Sequence, residues 1–204
     1  MADKVELIRT LRTAEDEDER CFAAEDLIAF GDDPEVTAAL VDALTNSSSR
    51  PVQEVACASL ISIDNEDVIR RIAGLMGCED AYVRNVASDI LAEATEVPDA
   101  LFFEMIKSED PDMRIFTVVT VGNRRVRTLL PLVVEVLFND KEVNVVAAAI
   151  DVIGNLGCRS DRSEPDRSDI RALKAAAQRF QNVPYITFAV ADAIDKLEGE
   201  ASTR

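Results

Sequence analysis

The 204-residue chain contains no histidine and no tryptophan. The first absence removes histidine triads, histidine acid–base catalysis and histidine metal ligands together. The seven glycines form no glycine-rich turn, so no phosphate-cradling loop is present. Four cysteines, Cys21, Cys57, Cys78 and Cys158, lie too far apart to make a metal knuckle or a redox pair. They read as reduced, mostly buried thiols of a cytoplasmic protein. No uncharged run is long enough for a membrane span. No charged-then-apolar leader opens the chain, and this predicts that it is not secreted. Aromatic residues are only 5%. Lysine is also scarce, with 5 Lys against 17 Arg.

What is present points to a folded, acidic protein. Hydrophobic residues make up 48%, which is too many for disorder despite a net charge of −17. The charge is uneven: residues 1–100 hold 23 acids against 8 bases, whereas residues 101–204 hold 16 against 14. The amino-terminal half should repel nucleic acid and anionic lipid and attract basic protein surfaces. The same composition also suits a salt-rich cytoplasm or a GC-rich genome.

A repeat organises the chain. An anchor residue is followed by small or apolar residues at +3, +4, +7 and often +8, which is one face of an α-helix. The anchors are Arg20, Val52, Val83, Met113, Val143 and Ile186, spaced by 32, 31, 30, 30 and 43 residues. About thirty residues accommodate two helices and two turns. Second helices are predicted over Glu35–Thr45, Asp67–Met76, Asp99–Lys107, Arg127–Phe138 and Asp169–Phe180. Asp80, Asp110 and Asp140 each stand three residues before an anchor, where a carboxylate can cap the incoming helix. A lone helix capped by Asp3 opens the chain, and another over Ile186–Leu197 closes it. Residues Cys158–Ser168 read as a polar surface loop within the fifth unit.

The pattern Asp80…Val83-Arg84, its copy Asp110…Met113-Arg114, Ala23-Ala24…Phe30-Gly31-Asp32 and Ile153-Gly154-Asn155-Leu156-Gly157 resemble HEAT repeats, in the short prokaryotic subtype of the phycobilin lyases. The resemblance covers residues 17–197. It implies an all-α fold, an α-solenoid of about five HEAT-like helix pairs with half-repeat caps at both ends. The expected organisation is one domain over 1–204, with a cap at 1–13, repeats near 17–47, 48–78, 79–108, 109–139 and 140–182, and a cap at 183–198. In the family, arginines placed like Arg84 and Arg114 pair with aspartates along the stack. Arg124 and Arg125 depart from the pattern, standing where an apolar helix end is expected.

The residues offer no catalytic constellation, metal site or cofactor site. The run Glu15–Glu19 lacks the ligand spacing of a calcium loop and reads as a helix start. HEAT-type di-iron hydroxylases need His–Glu ligand pairs, and this chain has no His. HEAT-like DNA glycosylases need a basic, aromatic-lined groove, which a chain of −17 does not supply.

In stacks of this kind the second helices line the concave face. Aligning them predicts a partner-binding surface with an apolar centre of Leu101, Phe102, Met105 and Leu132, accompanied by Glu135 and rimmed by Arg70, Arg71, Arg171 and Lys174. The same alignment assigns Phe103, rather than Phe102, to the core. Arg124-Arg125-Val126-Arg127 is the densest basic patch, a solvated turn or a seat for an acidic group. The expected function is a non-catalytic scaffold for a partner protein, with no nucleic acid, membrane or cofactor involved. The alternatives are a bilin or prosthetic-group lyase subunit and an adaptor in chemotaxis or two-component signalling.

Overall fold

The computed structural model describes residues 3–95, 97–124, 126–157 and 167–201. Among the described residues there are twelve α-helices, two short 3-10 turns and no strand. They form two compact units, Met1–Val97 and Pro98–Arg204.

The first unit contains α1 (Lys4–Thr13), α2 (Glu17–Asp26), α3 (Pro34–Asn46), α4 (Arg50–Ile63), α5 (Glu66–Leu75) and α6 (Ala81–Glu93). Their starts are written in the sequence. The side chains of Asp16, Asp33, Ser49, Asn65 and Asp80 each accept from free amides at the helix N-terminus. The acidic run beginning at Glu15 is such a start, since Glu17, Asp18 and Glu19 form the first turn of α2. Asp3 does not act as predicted: it sits at the N-cap of α1, but its side chain makes no capping bond.

The first helices of successive repeats, α2, α4 and α6, pack side by side, as do α1, α3 and α5. The predicted helix faces form the core between them, with Ala24, Leu27, Leu40, Leu60, Ile72, Ala87 and Leu91 all buried. Full burial of one such leucine contributes about 1.5–3 kcal/mol relative to exposure. Alanines at +3 and +4 let the helices approach closely. Ala87→Leu is therefore expected to overpack the layer around α6 and lower stability by about 1–3 kcal/mol, read as a shift of the urea midpoint. An unchanged midpoint would contradict the assigned face.

Hydrogen bonds spaced by one repeat tie the turns together. Asn65 Nδ2 donates to the Gly31 carbonyl at 2.9 Å. The Thr95 amide and hydroxyl donate to Asp64 Oδ2 at 3.1 and 2.5 Å. Asp64 ends α4 in the left-handed region, with φ 37°. The three cysteines described, Cys21, Cys57 and Cys78, are free and half-buried rather than buried. Burial pushes the Cys57 thiol up, and the carboxylates of Glu93, Asp89 and Glu54 push it further. Cys158 lies outside the described residues.

The second unit contains α7 (Asp99–Met105), α8 (Pro111–Arg124), α9 (Leu130–Asn139), α10 (Val143–Gly157), α11 (Arg167–Arg179) and α12 (Pro184–Ala201). The helix α10 packs against both α8 and α12, and α9 packs against α11. Close approach in the first layer depends on glycine. A Cβ on Gly122 would lie 2.8 Å from Val152 Cγ2, and one on Gly154 would lie 3.0 Å from Ala193 Cβ. A 3-10 turn over Arg127–Leu129 precedes α9, so this helix starts three residues later than predicted. Of the loop predicted over 158–168, residues 158–166 lie outside the described residues, and Arg167 and Ser168 already belong to α11.

The position after the anchor carries a recurrent polar tie. Gln53, Arg84 and Arg114 each donate to the carbonyl six residues upstream, those of Ser47, Cys78 and Ser108, at 3.0, 2.7 and 2.8 Å. Arg114 also reaches the next repeat: its Nε and Nη2 donate to Asp140 Oδ2 and Oδ1 at 2.7 and 3.2 Å. The stacking ladder implied by the resemblance is thus present at Arg114.

Candidate partner-binding face

Of the nine residues read as a partner surface, Arg70 and Arg71 fall in the first unit and the other seven in the second. The arginines on α5 are each neutralised one turn back. Arg70 pairs with Glu66 at 2.9 Å and Arg71 with Asp67 at 2.8 Å. Such intrahelical pairs on a surface are worth only a few tenths of a kcal/mol. They also leave these arginines with little unmet charge.

In the second unit the predicted apolar centre is mostly interior. Phe102, Met105 and Leu132 are buried, and Leu101 is half-buried. The assignment of Phe103 to the core is reversed as well: Phe102 is 0% exposed and Phe103 38%. The cause is a register shift of one residue in α7. The sequence alignment sets Phe103 level with Leu40 of α3, but in α7 it is Phe102, one residue earlier, that is buried. The helix starts directly after Pro98, which stands at its N-cap.

With the register corrected, the outward positions of the second helices hold Phe103 on α7, Pro131, Glu135 and Phe138 on α9, and Arg171 and Lys174 on α11, all exposed, with Val134 half-buried. The start of α7 is tied towards α9 by Thr128, whose hydroxyl donates to Asp99 at 2.9 Å. Among the described residues neither Arg171 nor Lys174 is ion-paired, in contrast to Arg70 and Arg71. Phe138 was missed because it closes the last turn of α9, beyond the part of the helix that was aligned. In the basic patch, Arg125 lies outside the described residues. Arg124 is turned inward, its guanidinium 5.8 Å from the Phe102 ring centroid, at the edge of cation–π range.

The paired helices, the buried faces repeated at about thirty residues and the turn-to-turn ties define an all-α helical-repeat protein of the α-solenoid class. Residues 5–92 match the family model of HEAT repeats, and the predicted resemblance is shown on that segment. No curated protein sequence matches the chain. Similar solved structures include the archaeal HEAT-like repeats protein from Thermococcus onnurineus NA1, at 17% identity over 98% of this chain and 89% of that one, with a TM-score of 0.45. Human deoxyhypusine hydroxylase in complex with glycerol is similar at 18% identity over 96% and 74%, with a TM-score of 0.47. The complex of CpcE and CpcF of phycocyanin lyase from Nostoc sp. PCC7120 is similar at 15% identity over 97% and 95%, with a TM-score of 0.36. None of these likenesses transfers a function. No described helix is long and apolar enough to cross a membrane.

Proposed function

We propose that this chain is a non-catalytic protein-interaction scaffold and that the second-helix face of its second unit grips the partner. The observation that carries the reading is the exposure of Phe103 and Phe138 on the same layer as two cations, Arg171 and Lys174, that have no ion-pair partner among the described residues. Aromatic anchors with arginine beside them are the residue types that dominate binding energy at protein interfaces. The partner segment that fits this face presents apolar side chains with carboxylates beside them. The excess of 23 acids over 8 bases in residues 1–100 adds long-range attraction for a basic surface elsewhere on the partner.

The test is capture of partners from the source cells on immobilised protein, comparing wild type with Phe103→Asp and Lys174→Glu. Both substitutions fall on exposed positions, so the helical circular dichroism should not change. Capture is expected to drop at least tenfold in each variant. Equal capture by all three proteins would remove this face from consideration.

A further inference from the structure

The excess negative charge on the helices of the first unit is concentrated in one of its two layers. On α2, α4 and α6 the exposed ionisable side chains are five acids on α2, Glu54 on α4, and Asp89 and Glu93 on α6, against one base, Arg50. On α1, α3 and α5 they are four acids against three bases. Acidity that served solubility alone would cover both layers alike. The few bases of the acidic layer are already engaged. Arg50 is held by Glu54 at 2.9 Å. The half-buried Arg20 and Arg84 donate to the carbonyls of Leu11 and Cys78 at 3.0 and 2.7 Å.

Phe22 stands in the middle of this charge and is 65% exposed. Its neighbours on the helix surface, three or four residues to either side, are Asp18, Glu19, Glu25 and Asp26, all exposed. Among the described residues none of the four is ion-paired. The fold gains nothing from the last two. Glu25 and Asp26 occupy the last turn of α2, which has no basic residue, and there the helix dipole opposes negative charge. The half-buried thiols of the layer feel the same field. Burial lifts the Cys21 thiol and Glu17, Asp18 and Glu25 lift it further, as Glu93, Asp89 and Glu54 do at Cys57. An exposed aromatic ring framed by unpaired carboxylates complements an apolar side chain flanked by cations, and it repels phosphate-bearing surfaces.

We infer that the α2–α4–α6 layer docks a lysine- or arginine-rich protein segment, which seats an apolar side chain on Phe22 and sets its cations against Asp18, Glu19, Glu25 and Asp26. This contact is separate from the face proposed on the second unit and does not depend on it. The test is fluorescence anisotropy at about 0.15 M salt, with a labelled amphipathic peptide of lysine and leucine and a lysine–serine peptide of the same charge. The proteins compared are wild type, Phe22→Ser, the double variant Glu25→Lys with Asp26→Lys, and a charge-matched double variant elsewhere, Asp42→Lys with Glu104→Lys. Phe22→Ser and the Glu25 and Asp26 variant are each expected to bind the leucine peptide about tenfold more weakly. The charge-matched variant should stay within about twofold of wild type. The Glu25 and Asp26 variant should also unfold at a higher urea midpoint, since it removes two acids from a helix end that disfavours them. Unchanged affinity in Phe22→Ser, an equal fall in both double variants, or serine peptide bound as tightly as leucine peptide would reduce the layer to unspecific charge and overturn the inference. A lower midpoint in the Glu25 and Asp26 variant would overturn it too, by showing that these acids serve the fold.

Discussion

Phe102→Ala is expected to cost about 3–5 kcal/mol of stability, whereas Phe103→Ala one residue later costs about 1 kcal/mol or less. The difference is one of burial alone. The Phe102 ring has no solvent exposure and is the largest fully buried side chain among the described residues, while Phe103 is 38% exposed. Truncating Phe102 removes the apolar surface of the ring from the core and leaves a cavity that its neighbours fill only in part. It also takes away the surface over which the Arg124 guanidinium lies at 5.8 Å. Truncating Phe103 leaves the packing of α7 nearly intact but removes an anchor from the proposed interface. The pair therefore separates fold from function: denaturant midpoints should move with Phe102, and partner capture should move with Phe103. Equal midpoints for the two variants would mean that the register of α7 is wrong.

This one-residue question marks where the sequence stops being legible. The existence of the helix pairs is a summed property of many positions, and an error at any one position is outvoted. Helix caps also act locally: Asp80, predicted as a cap, accepts from amides two and three residues ahead, and Asp16, Asp33, Ser49 and Asn65, which the repeat pattern did not single out, cap their helices in the same way. A surface site is different, since it depends on which of two adjacent side chains faces outward. A shift of one residue rotates a helix by about 100° and exchanges the two, as happened with Phe102 and Phe103. Charge on a face is similarly invisible without partners. Arg70 and Arg171 look equivalent in the alignment, yet Glu66 neutralises the first, and no described residue pairs with the second.

The second large effect is expected at the Arg114–Asp140 pair, whose side chains are 13% and 9% exposed. Arg114→Met keeps most of the apolar stem but removes five donors. It leaves the Asp140 carboxylate without its cation, and it leaves the Ser108 and Glu109 carbonyls without the donor they share. Breaking a largely buried pair from one side in this way is expected to cost about 3 kcal/mol. Asp140→Asn should cost less, because an amide oxygen can still accept from the Glu142 amide as the carboxylate does now. The pH dependence identifies the pair. Burial raises the affinity of Asp140 for a proton, but the Arg114 hydrogen bonds, the Glu142 amide and the Arg114 charge outweigh it, so the carboxyl stays below its ordinary range. A carboxyl whose pKa is depressed on folding contributes stability that is fully present above its unfolded value. That stability is lost as the pH falls through the folded value. The gap in unfolding free energy between wild type and Asp140→Asn should thus be constant from about pH 8 to 5 and close below about pH 4. A double-mutant cycle with Arg114→Met at neutral pH should return a coupling of about 1–3 kcal/mol. If the gap does not change with pH and the coupling is near zero, the two side chains lie side by side without supporting the stack.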